Sequence, residues 1–231
     1  MIGRSGALSV QMRGPNLCHI VMADVTRNED FLHSIELTKD KNKSIFHSGG
    51  IILDGAIRHQ LPSSIRPVVA PKESPLQLLK IAPDLASIEG MWLFSSISAI
   101  FGTQGQSNYA ASNMYLEGWA ASIAKSGICS SSIAWGAWSA VGMASHRKDI
   151  LEKVKAHGLG LLSPKGGLEI LSKLIKSTEH LANLIATPLD MAKVTGSHVK
   201  REPDLSGRHK VSIDNFRNST SHFSLYSLNY I

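Results

Sequence analysis

The stretch Met91-Trp92-Leu93-Phe94-Ser95-Ser96, followed after a short gap by Asn108-Tyr109-Ala110-Ala111-Ser112-Asn113, decides how this chain is read. Met91–Ser95 is a short apolar run ending in small polar residues, the pattern of a strand buried on both faces. Asn108–Lys125 reads as a helix. Outward from this pair the same alternation repeats. Leu17–Ala23, Ser44–His47, Ser130–Gly136 and Leu184–Thr187 read as strands, and Arg27–Lys39, Pro75–Ala82 and Pro164–Ser177 as helices. In the last helix Leu168, Leu171, Leu174 and Ile175 recur at helical spacing, with Pro164 in the first turn. Strands alternating with helices predict an α/β fold, a parallel sheet covered on both faces.

Such sheets bind ligands outside the carboxyl ends of their strands. Asp24, Ser48-Gly49-Gly50, Ser95-Ser96 and Trp135-Gly136 hold those positions. Ser197–Ile231 has no apolar period and reads as a polar, basic linker or tail.

Composition narrows the function classes. The 231 residues carry a formal charge of +6, much of it in the tail, and 43% are hydrophobic, enough for a core. No aromatic–basic interleaving or zinc-type spacing points to nucleic acid. No run of about 20 apolar residues would span a membrane, and the N-terminus lacks a signal-like segment. Cys18 and Cys129 stand far apart, as in a reduced compartment. A cytoplasmic location is expected, and a plastid would fit equally.

The chemistry lies around Tyr109. Tyr109 and Asn113 are four residues apart and share one helix face. A phenol titrates near pH 10, so at neutral pH it keeps a proton it can deliver to a developing alkoxide. A nearby serine hydroxyl can hold the carbonyl oxygen, and a lysine would stabilise the phenolate.

With Ser96 thirteen residues before Tyr109, and with Gly102, Gly105-Gln106 and Asn108 between, this segment resembles the ketoreductase domains of type I polyketide synthases. These belong to the short-chain dehydrogenase/reductase superfamily. Ordinary members carry Tyr-x-x-x-Lys. The synthase domains place Asn four after the Tyr and take their Lys from an earlier helix, where Ala70-Pro71-Lys72 is similar to the family's segment. His47-Ser48-Gly49-Gly50, Ile133–Trp138 with Gly142-Met143-Ala144, and Pro164–Leu168 also resemble family segments, in family order.

The resemblance implies a Rossmann-like doubly wound sheet and reduction of a β-ketoacyl group on an acyl carrier protein by NADPH, within a polyketide or fatty acid synthase whose other domains are partners. Tyr109 would be the proton donor and Ser96 the carbonyl ligand, with Lys72 and Asn113 in support. Ser95 has the wrong spacing. Gly3-Arg4-Ser5 is similar to the segment whose Arg4 and Ser5 would hold the adenosine 2′-phosphate. Asp24 and Val25 would read the adenine, while Ser48, Gly49, Trp135 and Gly136 would complete the cofactor site. Asp54 aligns with the last residue of a Leu-Asp-Asp motif whose first two positions are here Ile52 and Leu53.

The family's first strand and its Gly-x-Gly-x-x-Gly loop, which cradles the cofactor pyrophosphate, have no counterpart in the sequence. The expectation is an incomplete reductase domain over residues 1–195, a tail over 196–231, and a gap in the sheet where that strand would lie. Such a chain should bind NADPH weakly. The alternative is a non-catalytic pseudo-reductase serving as a scaffold or interaction module.

Overall fold

The computed structural model describes residues 2–3, 21–36, 43–81, 88–139, 152, 156, 158–177, 182–190, 193 and 225–227. In chain order the elements are β1 (Ile2–Gly3), β2 (Val21–Met22), α1 (Asn28–Glu36), β3 (Lys43–His47) and α2 (Pro62–Ile81). They continue with β4 (Ile88–Ser96), the short turn α3 (Ser98–Phe101), α4 (Ser107–Ala124) and β5 (Ser130–Trp135). Last come α5 (Pro164–Lys176), β6 (Asn183–Ala186) and β7 (Leu225–Ser227).

The strands form two sheets. Five lie in the order β3-β4-β5-β6-β7, parallel except for the antiparallel β6–β7 edge. The other two, β1 and β2, pair with each other in parallel. Among the described residues no ladder joins β1 to β3, and the break falls where the resemblance predicts a missing strand.

Both faces of the larger sheet are covered, as its apolar strands require. On one face Leu76 and Leu79 of α2, Met91 and Leu93 of β4, and Leu116, Trp119 and Ile123 of α4 form one core cluster, with Phe31 of α1 at its edge. On the other face Trp92, Ile133 and Trp135 pack against Leu162 and Ile170 of α5. β5 is buried at every residue, although Ser130-Ser131-Ser132 makes it weakly apolar. Burial from both sides overrides its local propensity.

α5 starts as its sequence predicts. The Ser163 hydroxyl accepts the Gly166 N–H at 3.1 Å, and Pro164 follows as the first helical residue. Two elements depart from expectation. The helix read as Pro75–Ala82 runs from Pro62 to Ile81 and contains Pro67, Pro71 and Pro75. Each internal proline removes one helical hydrogen bond and costs about 3 kcal/mol, so local pattern favours a break. The four-residue spacing stacks these defects on one face, and burial of Val68, Pro71, Pro75, Leu76 and Leu79 outweighs them. Within the stretch read as a tail, Leu225–Ser227 forms β7 on the sheet edge. Three residues are too few to show a period.

Candidate active site

β4 and α4 together build the site. Side chains alternate along a strand, so neighbouring Ser95 and Ser96 diverge. Ser95 is buried beneath α4, where its Oγ donates to Glu117 Oε1 at 2.8 Å. Ser96 faces Tyr109. Its Oγ accepts the Ser98 N–H at 3.2 Å and the Ser98 hydroxyl at 3.0 Å, which fixes its orientation.

Tyr109 lies in the first turns of α4 and is 8% exposed. Burial raises the pKa of its phenol, and side-chain hydrogen bonds with Asn113 and Ser96 act in the opposite direction. The structure thus joins Ser96, Tyr109 and Asn113, which lie on separate turns or elements. Asn113 is fully buried. Its Nδ2 donates to the Tyr109 carbonyl at 2.8 Å, while its Oδ1 has no hydrogen-bond partner.

Lys72 reaches the same edge of the sheet from α2. It is 3% exposed, and its Nζ donates to the carbonyl of Phe94, two residues before Ser96, at 3.0 Å. Removal from water lowers its pKa to about 8. His47, at the end of β3, is lowered to about 4, first by burial and then by the Lys72 charge. Its Nε2 is buried without a partner.

The residues expected to hold a cofactor are less uniformly placed. Arg4 and Ser5 lie outside the described residues. Asp24 closes a turn, its carboxylate accepting from the Thr26 N–H at 3.0 Å and the Thr26 hydroxyl at 2.7 Å. Val25 packs against the first core cluster. Ser48 and Gly49 are exposed beyond β3. The Trp135 ring is buried, tilted at 5.4 Å from Phe94 and 5.3 Å from Trp138, so that position offers a ligand its backbone rather than its indole. Gly136 donates its N–H to Ala186 at 2.9 Å, and any side chain there would collide with Thr187.

Asp54 does not stand alone. Its Oδ1 accepts from Gln106 Nε2 at 3.0 Å. Beside it Asn108, directly before Tyr109 and 5% exposed, faces the loop after β3. In the sequence Asn108 stands out only as part of the family segment, and nothing there assigns a role to it, to Gln60 or to Glu117. The Asn-Tyr pair at a helix start was the one available signal, because loop contacts leave no period in sequence.

The family model named KR domain matches residues 8–140, more than half of the chain. The chain belongs to the KR domain family. These are the ketoreductase domains of polyketide synthases, with the short-chain dehydrogenase/reductase fold. Polyketide synthase GfsB of Streptomyces halstedii is 33% identical over 130 residues, 55% of this chain and 2% of that protein. The putative inactive phenolphthiocerol synthesis polyketide synthase type I Pks1 of Mycobacterium tuberculosis (strain ATCC 25618 / H37Rv) is 32% identical over 65% of this chain and 9% of that one. Among solved folds, a structure of A-type ketoreductases from a modular polyketide synthase superposes with a TM-score of 0.70 at 23% identity. It covers 80% of this chain and 40% of the other. The KR chain therefore spans a small part of its curated relatives and under half of that solved ketoreductase. No helix among the described residues of this KR chain is long and apolar enough to cross a membrane.

Proposed function

We propose that this chain carries the substrate-side machinery of an NADPH-dependent ketoreductase, which reduces a β-ketoacyl thioester on an acyl carrier protein to the β-hydroxyacyl form within a cytoplasmic synthase. The observation that carries the proposal is the meeting of the Tyr109 phenol with the side chains of Ser96 and Asn113, in a site where Lys72 is buried.

A reduced nicotinamide fits this edge chemically. Ser48-Gly49 follows β3, Ser96 ends β4 and Gly136 follows β5, three adjacent parallel strands, and Nε2 of His47 and Oδ1 of Asn113 are buried polar atoms with hydrogen-bonding capacity to spare. Ser48, Gly49, Trp135 and Gly136 would hold its nicotinamide end, Asp24 and Val25 its adenine, and Arg4 and Ser5 its 2′-phosphate. When bound, the cofactor supplies hydride to the ketone carbon.

The chain's own residues manage the oxygen. Ser96 Oγ donates to the ketone oxygen and orients it. Tyr109 Oη transfers its proton to that oxygen as the alcohol forms. The raised phenol pKa keeps the donor protonated at neutral pH, and the Lys72 ammonium, in the role the family resemblance gives it, would favour the phenolate left behind. Asn113 holds the Tyr109 backbone and phenol in register. Residues 1–195 are taken as the reductase unit.

A second reading, a non-catalytic reductase-like module, is favoured by the lack of a ladder between β1–β2 and β3–β7 among the described residues. One experiment decides between them: NADPH titration followed by turnover of a β-ketoacyl thioester surrogate. NADPH oxidation that Tyr109→Phe removes supports the reductase. Absence of turnover at saturating NADPH supports the scaffold.

A further inference from the structure

The loop between β3 and α2 is stitched to the start of α4 by two buried amides, Gln106 through Asp54 Oδ1 at 3.0 Å and Asn108 through several acceptors. Asn108 Nδ2 faces three acceptors on the far side: the Leu53 carbonyl at 2.9 Å, Gln60 Oε1 at 3.2 Å and the Ser64 carbonyl at 3.3 Å. Its Oδ1 accepts the Tyr109 N–H at 2.8 Å, one of the first-turn donors that a helix cannot satisfy internally. Around this amide, the Gly55 N–H donates to the Gly105 carbonyl at 2.8 Å. Gln60 Nε2 donates to the Gly55 carbonyl at 2.9 Å, and Ser64 Oγ donates to Gln60 Oε1 at 2.9 Å.

Apolar packing adds little to these polar contacts. Leu53, Ile57 and Leu61 are exposed, Ile57 at 78%, so apolar burial does not fix this segment. Its conformation rests on the polar network, and Asn108 alone within it touches the loop, α2 and the Tyr109 backbone together.

We propose that Asn108 is a positioning residue, which locks the loop Leu53–Gln60 against the first turn of α4 and thereby sets the enclosure of the Tyr109 phenol. The proposal rests on the reductase reading for its catalytic meaning, and its test does not depend on turnover. The full chain would be compared with Asn108→Ala and Asn108→Asp. Amide hydrogen exchange would report the loop, and NMR of chains labelled at the tyrosine ring carbon bearing the hydroxyl would follow the phenols, with Tyr109→Phe identifying the signal.

In Asn108→Ala, exchange at Gly55 and Tyr109 should quicken by roughly five- to tenfold, the scale of one lost hydrogen bond. The Tyr109 titration should move down toward that of a free phenol, while Tyr115 stays unchanged. Asn108→Asp keeps the acceptor and loses the donors. It should release Gly55 and leave the Tyr109 amide protected, and it decides the matter if the alanine variant fails to fold. Unchanged exchange at Gly55 together with an unmoved Tyr109 titration in a folded variant would overturn the proposal. Absence of NADPH oxidation by the wild-type chain would sink the reductase reading and leave these two measurements as they stand.

Discussion

The sheet β3–β7 and the pair β1–β2 differ in how much holds them in place. β4 pairs with β5 over six residues and is buried between α2 and α4 on one side and the α5 layer on the other. β1 pairs with β2 over two residues, Ile2 with Val21 and Gly3 with Met22. The four residues proposed for proton transfer all belong to the larger unit: Lys72 on α2, Ser96 on β4, and Tyr109 and Asn113 on α4. The residues proposed for the adenine end follow β1 and β2. Catalytic geometry must be held within fractions of an ångström, and the residues proposed for it lie in the better-packed of the two described units. Among the described residues, the positions proposed for the nucleotide end lie beside the shorter ladder.

This contrast can be broken most directly at Tyr109. Tyr109→Phe should lower turnover of a β-ketoacyl thioester surrogate by about 10²–10⁴-fold, the range for loss of a general acid, with circular dichroism and Tm little changed. Unaltered turnover would detach the chemistry from the larger sheet. Next in size is packing. Leu93 is fully buried in β4, and Leu93→Ala should cost about 2–5 kcal/mol in denaturant unfolding. In the wild-type chain, amides of Val21 and Met22 should exchange well before those of Leu93 and Ile133. Equal protection would erase the distinction between the two sheets.

Lys72 gives a prediction in pH. Its folded pKa of about 8 lies below the ordinary lysine value of 10.5. Between those values the unfolded chain binds the proton and the folded chain does not, so stability rises with pH across that window. The burial cost is fully present below about pH 8. Lys72→Met should flatten the rise, worth about 3 kcal/mol at about 1.4 kcal/mol per pH unit, in urea unfolding from pH 7 to 10. A rise that persists in the variant would place its source elsewhere.

The smallest effect separates neighbouring serines. Ser95→Ala removes a hydrogen bond to buried Glu117 and should cost about 1–3 kcal/mol of stability with turnover nearly intact. Ser96→Ala should do the reverse, keeping stability and losing about 10²-fold in rate. The same response from both would mean that strand alternation does not separate support from chemistry here.

Much of this was legible in sequence because it follows local rules. The apolar run at Met91–Ser95, the Pro164 helix start and the four-residue step from Tyr109 to Asn113 each carry their own signal. Trp119 and Ile123, four apart on α4, are buried as their spacing implies. The split between β1–β2 and the larger sheet was also expected, from the absence of a matching strand segment. What stayed hidden depends on partners distant in the chain. α2 looks like a broken helix until the surface it packs on is known. The indole of Trp135 turns into the core, and nothing near it in sequence sets that direction. The Asn108 network joins positions more than forty residues apart through loop carbonyls, which every residue possesses and none advertises.

The prolines of α2 also bear on when the site comes into being. A peptide of residues 62–81 alone would lack the helical bonds at Pro67, Pro71 and Pro75 and gain nothing in return, so it should be unstructured. α4 has no proline and could hold its turns earlier. A chain caught partway through folding would then present Tyr109 and Asn113 on a formed helix before Lys72 reaches the Phe94 carbonyl on β4. The lysine reaches its post only when the hydrophobic layer has closed, which makes its arrival a built-in checkpoint on assembly.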